Sequence, residues 1–148
     1  ALALLARYER LRTEVSGIAE TGETVLSGRV VDRNGRLATV ETAAGRLSAL
    51  APGDSAEVSI SLSADAVTLQ SPADSPAADA TSARNRLEGT VRSVERGEGV
   101  AHVTVDVGAP VDLNALVTVA SVERLDLTAG APVVASFKAT ATRAVDVR

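Results

Sequence analysis

From residue 25 onward, apolar and polar residues alternate with a period of two, in short runs broken by glycine, proline, asparagine and aspartate. That is the pattern of half-buried strands joined by turns. Residues 1–16 differ. Leu4, Tyr8, Leu11 and Val15 recur at helical spacing, with Glu9, Arg10, Arg12 and Glu14 off the stripe. A helix is predicted there, stopped at Gly17. So narrow a stripe suits pairing across a dimer or onto another domain, and it equally fits a helix folded back on its own barrel.

Strands are predicted over 25–32, 37–42, 46–50, 56–62 and 66–69. Asn34-Gly35 makes the first hairpin turn, because both residues tolerate positive φ. Residues 71–81 (SPADSPAADAT) are small, acidic and proline-bearing, and read as a linker. Beyond them the pattern repeats. LEGTVRSVE, starting at Leu87, parallels LSGRVVDR, starting at Leu26, and later segments follow in the same order, with a short extra helix expected over 122–127. Two copies of five short strands predict an all-β chain: two tandem OB-like five-stranded Greek-key barrels preceded by one N-terminal helix. The expected division is a linker or dimerisation helix over 1–17, a first barrel over 18–70, a linker over 71–81 and a second barrel over 82–148.

Composition narrows the function. Aromatic residues are 1% of the 148, so the core must be aliphatic. With no cysteine and one histidine, neither a disulfide framework nor a thiolate or multi-histidine metal site can form within one chain. The net charge of -4 argues against a general nucleic-acid or anionic-membrane surface. Single-strand binding by an OB fold would also need stacking aromatics. No apolar run is long enough to span a bilayer, and the first residues lack the flanks of a signal peptide. The chain starts at Ala1 without a methionine, which reads as a fragment or a trimmed product, so that an upstream domain can be missing. No Ser–His–Asp set, phosphate loop or carboxylate pair supports an enzyme. His102 is expected on the outer side of its strand, and Asp106 and Asp112 as solvated residues beside a turn.

The remaining chemistry gathers in the second repeat. Ser82-Ala83-Arg84-Asn85-Arg86 leads into its first strand, Thr118-Val119-Ala120-Ser121 lies mid-way, and Phe137-Lys138-Ala139-Thr140 lies near its end. Together they supply hydroxyls, an amide and full positive charges, which is what a tetrahedral dianion accepts from. Lys138 is the single lysine beside 14 arginines. A compact ammonium chosen for an anion explains it, and so does an edge-strand lysine that blocks aggregation.

SARNRLEGTV, TVASVERLDL and SFKATAT resemble the Mop, or molbindin, family of molybdate-binding domains, a branch of the TOBE domains. The resemblance covers about residues 82–145. It implies oxyanion contacts from Ser82, Arg84, Lys138 and the Ala139 backbone, with Thr118 and Ser121 supplied by a neighbouring chain, and Asn85 fixing the turn into the strand. It implies molybdate or tungstate as ligand with no organic cofactor, and a homodimer or other homo-oligomer with interfacial sites. The first repeat departs from the motif: Thr21-Gly22-Glu23-Thr24 stands in the S-A-R-N place and Leu62 is expected where Lys138 falls.

Residues 3–11 resemble the linker helix of ModE-type transcription regulators, which implies the cytoplasmic effector region of such a regulator. DNA would then be touched only through a domain absent from this chain, and the membrane not at all. The alternatives are the C-terminal regulatory domain of a molybdate or tungstate ABC importer ATPase and a free-standing molybdate buffer.

Overall fold

The computed structural model describes residues 22–147, so the helix expected over 1–17 lies outside the described residues. Ten strands run in sequence order: β1 (Glu23–Asn34), β2 (Leu37–Thr42), β3 (Gly45–Leu50), β4 (Glu57–Ser63), β5 (Thr68–Gln70), β6 (Asn85–Arg96), β7 (Val100–Asp106), β8 (Leu113–Thr118), β9 (Pro132–Phe137) and β10 (Arg143–Asp146). One helix, α1 (Val119–Arg124), follows β8. It starts three residues before the expected 122, because the Thr118 hydroxyl accepts the Ser121 N–H and caps it.

The two repeats do not close separately. Strands β1-β2-β3-β10-β4 form a closed barrel, and β5-β9-β6-β7-β8 form a second five-stranded sheet whose outer strands, β5 and β8, approach each other. Each repeat therefore gives its last strand to the other. Residues 18–70 and 82–148, expected as two self-contained barrels, are instead interlocked. The exchange is reciprocal and in register: Arg143 pairs with Ser61 and Ala144 with Ile60, while Thr68 pairs with Ser136 and Leu69 with Ala135. Its cause is local. After β4 and after β9 the chain makes one 3-10 turn, Ala64–Ala66 and Ala139–Ala141, with near-identical backbone angles at Ser63 and Lys138. Each turn packs on the third strand of the opposite half, and Ala64 and Ala139 are both buried there.

The alternation seen in the sequence sets the core. Val40, Val58 and Ile60 fill barrel one, and Val103, Val105 and Leu113 fill the second sheet. Gly28 and Gly89 occupy matching places in β1 and β6, where a Cβ would meet Val40 Cγ1 at 2.4 Å and Asp106 O at 2.6 Å. Between the halves, Leu26, Leu47 and Leu62 meet Leu87, Leu113 and Phe137 around a void of only about 10 Å³, at the lower limit for a single water and lined almost wholly by apolar groups. Asp106 and Asp112 are not merely solvated. Arg92 pairs with both, at 3.3 and 2.7 Å, and ties down the turn between β7 and β8. These carboxylates, the hydrogen-bonded Asp112 first, raise the Arg92 pKa further above its already high ordinary value.

Candidate functional site

The β6–β9 ladder ends with Asn85 opposite Phe137. The next residues outward, Arg84 and Lys138, therefore leave the sheet side by side, and both are exposed. Ser82 is exposed two residues earlier, and Ala139 begins the crossover turn to barrel one. The structure thus brings Arg84, Lys138 and Ala139 to one edge, with Ser82 two residues before Arg84 along the chain. Among the described residues, no carboxylate lies within ion-pair distance of either cation. The Arg84 guanidinium instead donates to the Ala78 and Thr81 carbonyls of the linker. Arg86 does the same to Pro76.

Asn85 is buried and faces inward. Its Oδ1 accepts the Ser48 N–H at 2.7 Å, and its Nδ2 donates to Ser48 O at 2.9 Å and to Thr142 Oγ1 at 3.3 Å. The Thr142 hydroxyl donates in turn to Lys138 O at 2.8 Å. Every amide hydrogen-bonding group of Asn85 is engaged by protein, so its task extends beyond the turn: it fixes the backbone under Arg84 and Lys138 against β3 of barrel one. Ser48 and Thr142 were not singled out in the sequence. The signal for Thr142 was its place in the SFKATAT motif; Ser48 gave none, since its contact is through backbone.

Thr118 and Ser121 lie elsewhere. Thr118 pairs with Val100 where β7 begins, near the far end of β6 from Arg84. Its Oγ1 accepts the Ser121 N–H at 3.0 Å and its hydroxyl donates to Ser121 Oγ at 2.9 Å. No hydrogen bond among the described residues joins this pair to the Arg84–Lys138 edge.

His102 departs from expectation. Its side chain is only 11% exposed, with Nε2 3.0 Å from Asn114 Oδ1. Asn114 in turn donates its N–H to Thr24 Oγ1 at 2.9 Å, so His102 helps to seat one half on the other.

The first repeat carries the same frame with different chemistry. Thr24 pairs with Leu62 as Asn85 pairs with Phe137, so Leu62 corresponds to Phe137 and Ser63 to Lys138. The expected match of Leu62 with Lys138 is one residue out of register, which in a strand is the opposite face. Glu23 stands at the Arg84 place and Asp65 at that of Thr140. That edge is acidic.

Residues 81–144 match the TOBE domain family. The chain carries a TOBE domain. No curated protein matches the sequence. A solved structure that resembles it is a crystal form of the cytoplasmic molybdate-binding protein ModG with molybdate bound. The two share 28% identity and a TM-score of 0.70, over 82% of this chain and 94% of that one. The matched TOBE segment contains the Arg84–Lys138 edge and α1, whereas the acidic edge of the first repeat lies outside it.

Proposed function

We propose that this TOBE chain is a non-catalytic binder of a tetrahedral oxyanion, molybdate or tungstate, held at the edge formed by Ser82, Arg84, Lys138 and the Ala139 backbone. The observation that carries this reading is the pair of cations side by side where β6 begins and β9 ends, with no carboxylate paired to them among the described residues. A dianion there receives two charge-assisted contacts, which are roughly twice as strong as neutral ones. The similarity to ModG supports the choice of ligand. Thr118 and Ser121 complete the site from a second copy, since within one chain they stand apart from the edge. The assembly is a homodimer or a larger homo-oligomer in the cytoplasm. The acidic edge of the first repeat repels a dianion, so each chain takes one full site's ligand.

For the role of the parent protein, the effector region of a transcription regulator follows from residues 3–11. A free-standing buffer is the second reading, favoured by the coverage of nearly the whole ModG chain.

Calorimetric titration tests the binding. Wild type takes up one molybdate per chain with sulfate present as competitor. Lys138→Ala loses about 2–5 kcal/mol, roughly 30-fold or more in affinity, while Arg46→Ala binds as wild type does. Wild type that takes up neither molybdate nor tungstate refutes the reading, and full affinity in Lys138→Ala refutes the site.

A further inference from the structure

The first repeat keeps the frame of the site and reverses its charge, and the reversal has a counterpart. On barrel one a cleft of about 270 Å³ is lined by Arg36, Leu50, Pro52, Arg143, Ala144 and Val145. Among the described residues, neither guanidinium has a carboxylate within ion-pair distance. The nearby Asp146 turns its carboxylate to the Ser55 N–H at 3.3 Å. The strand registers say what this cleft corresponds to. Leu47 pairs with Val40 as Leu113 pairs with Val105, so Pro52 stands where the other half has Thr118. Arg143 likewise corresponds to Thr68.

Each half thus has two equivalent surfaces. In the TOBE half one surface is cationic, Arg84 and Lys138, and the other offers neutral hydroxyls, Thr118 and Ser121. In the first half the corresponding surfaces are acidic, Glu23 and Asp65, and cationic, Arg36 and Arg143. The first pair of surfaces needs a dianion between them. The second pair does not, because two carboxylates already carry the charge of a dianion.

We propose that Glu23 and Asp65 of one copy of this chain dock on the Arg36–Arg143 cleft of another, as a ligand-free counterpart of the oxyanion contact between the TOBE halves. This rests on the proposed sharing of the oxyanion site between copies. The first-half contact holds the copies together without ligand, and the TOBE contact adds to it only when the anion is bound.

The test is a charge swap in the full chain, read by sedimentation velocity at low salt without molybdate. Folding of each variant is checked by circular dichroism and thermal melting. Wild type associates. Arg36→Glu/Arg143→Glu carries acids on both surfaces, Glu23→Arg/Asp65→Arg carries cations on both, and each alone associates at least tenfold more weakly. Mixing the two variants restores association, because every contact between unlike copies again joins acid to cation. Folded variants that associate like wild type, or a mixture that stays dissociated, overturn the proposal, as does a wild type that is monomeric under these conditions. An ion pair within one chain would give no rescue on mixing. Lys138→Ala separates this proposal from the oxyanion reading: it weakens molybdate binding roughly 30-fold or more yet leaves ligand-free association as in wild type. Association that disappears in Lys138→Ala places the contact on the TOBE half and refutes the swap.

Discussion

Asn85 and Ser48 are joined by two hydrogen bonds, 2.7 Å from the Ser48 N–H to Asn85 Oδ1 and 2.9 Å from Asn85 Nδ2 to Ser48 O. A side chain from the second repeat here takes the part of a neighbouring strand toward β3 of the first. Thr24 does the same in the other direction, accepting the Asn114 N–H at 2.9 Å. Both side chains are buried. Asn85→Ala leaves two backbone groups and the Thr142 hydroxyl without these partners in a site water does not readily enter. At about 1–3 kcal/mol for an unsatisfied buried group, the expected loss is at least about 2 kcal/mol. Urea unfolding at unchanged m-value measures it, and a midpoint equal to wild type would refute the role. Glu88→Ala, an exposed residue of the same strand without a side-chain hydrogen bond among the described residues, serves as the neutral control.

The sharing of the site between copies predicts complementation. Thr118→Ala/Ser121→Ala removes one part of every site and Lys138→Ala removes the other. Neither protein alone should bind molybdate with wild-type affinity. In an equimolar mixture whose subunits exchange, about a quarter of the sites join an intact cation edge to an intact hydroxyl pair. Titration of the mixture should therefore recover tight binding at about a quarter of the wild-type stoichiometry. Recovery of none, after exchange has been verified by light scattering of differently tagged chains, would place the whole site within one chain.

Arg84 gives a third expectation. Without ligand its guanidinium is hydrogen-bonded to the Ala78 and Thr81 carbonyls. An anion at the β6–β9 edge competes for the same donors, and a charged acceptor is preferred over a carbonyl. Molybdate should then release the linker: amide exchange over residues 76–81 rises on binding while that of β6 falls. Exchange over the linker that slows with ligand would mean that Arg84 keeps its carbonyl partners and contributes only its charge.

Much of this was legible in the sequence, for definite reasons. Period-two alternation located the strands because one face of each is buried in an aliphatic core, as Val40 and Val103 are completely. The cations at 84 and 138 stood out because they flank a motif with hydroxyls and no acid. The strand exchange was not legible. Leu69 and Ala144 are equally apolar whichever barrel they enter, and alternation reports the buried face but never the partner strand. In the first repeat the sequence places Leu62 against Lys138, one residue out of register, because similarity between two diverged repeats does not fix which residues face each other. The pairing of Thr24 with Leu62 decides the matter, and only the sheet shows it. His102 failed for a related reason: an outward-facing position is exposed only if nothing packs there, and Asn114 does.

The exchange itself makes the last prediction. Ala144 is 1% exposed and lies opposite Ile60, inside the barrel of the other repeat. Leu69 lies opposite Ala135 in the second sheet. Placing a carboxylate at either position buries a charge with no partner, which costs at least about 3 kcal/mol or protonates the group instead. Where the damage appears depends on which strands are neighbours. Ala144→Asp, although it lies near the C-terminus, should raise amide exchange first in β3 and β4, which flank β10, and leave β6 and β7 protected. Leu69→Asp, in the first repeat, should do the opposite and expose β9. Exchange mapped residue by residue under native conditions distinguishes these patterns, because sub-global opening follows contiguous packing rather than sequence order. If Ala144→Asp instead loosened β6 and β9 first, each repeat would be closing on its own last strand. The crossover turns after Ser63 and Lys138 would then have to fold back rather than across, and the Asn85–Ser48 bridge would lose the frame that holds it.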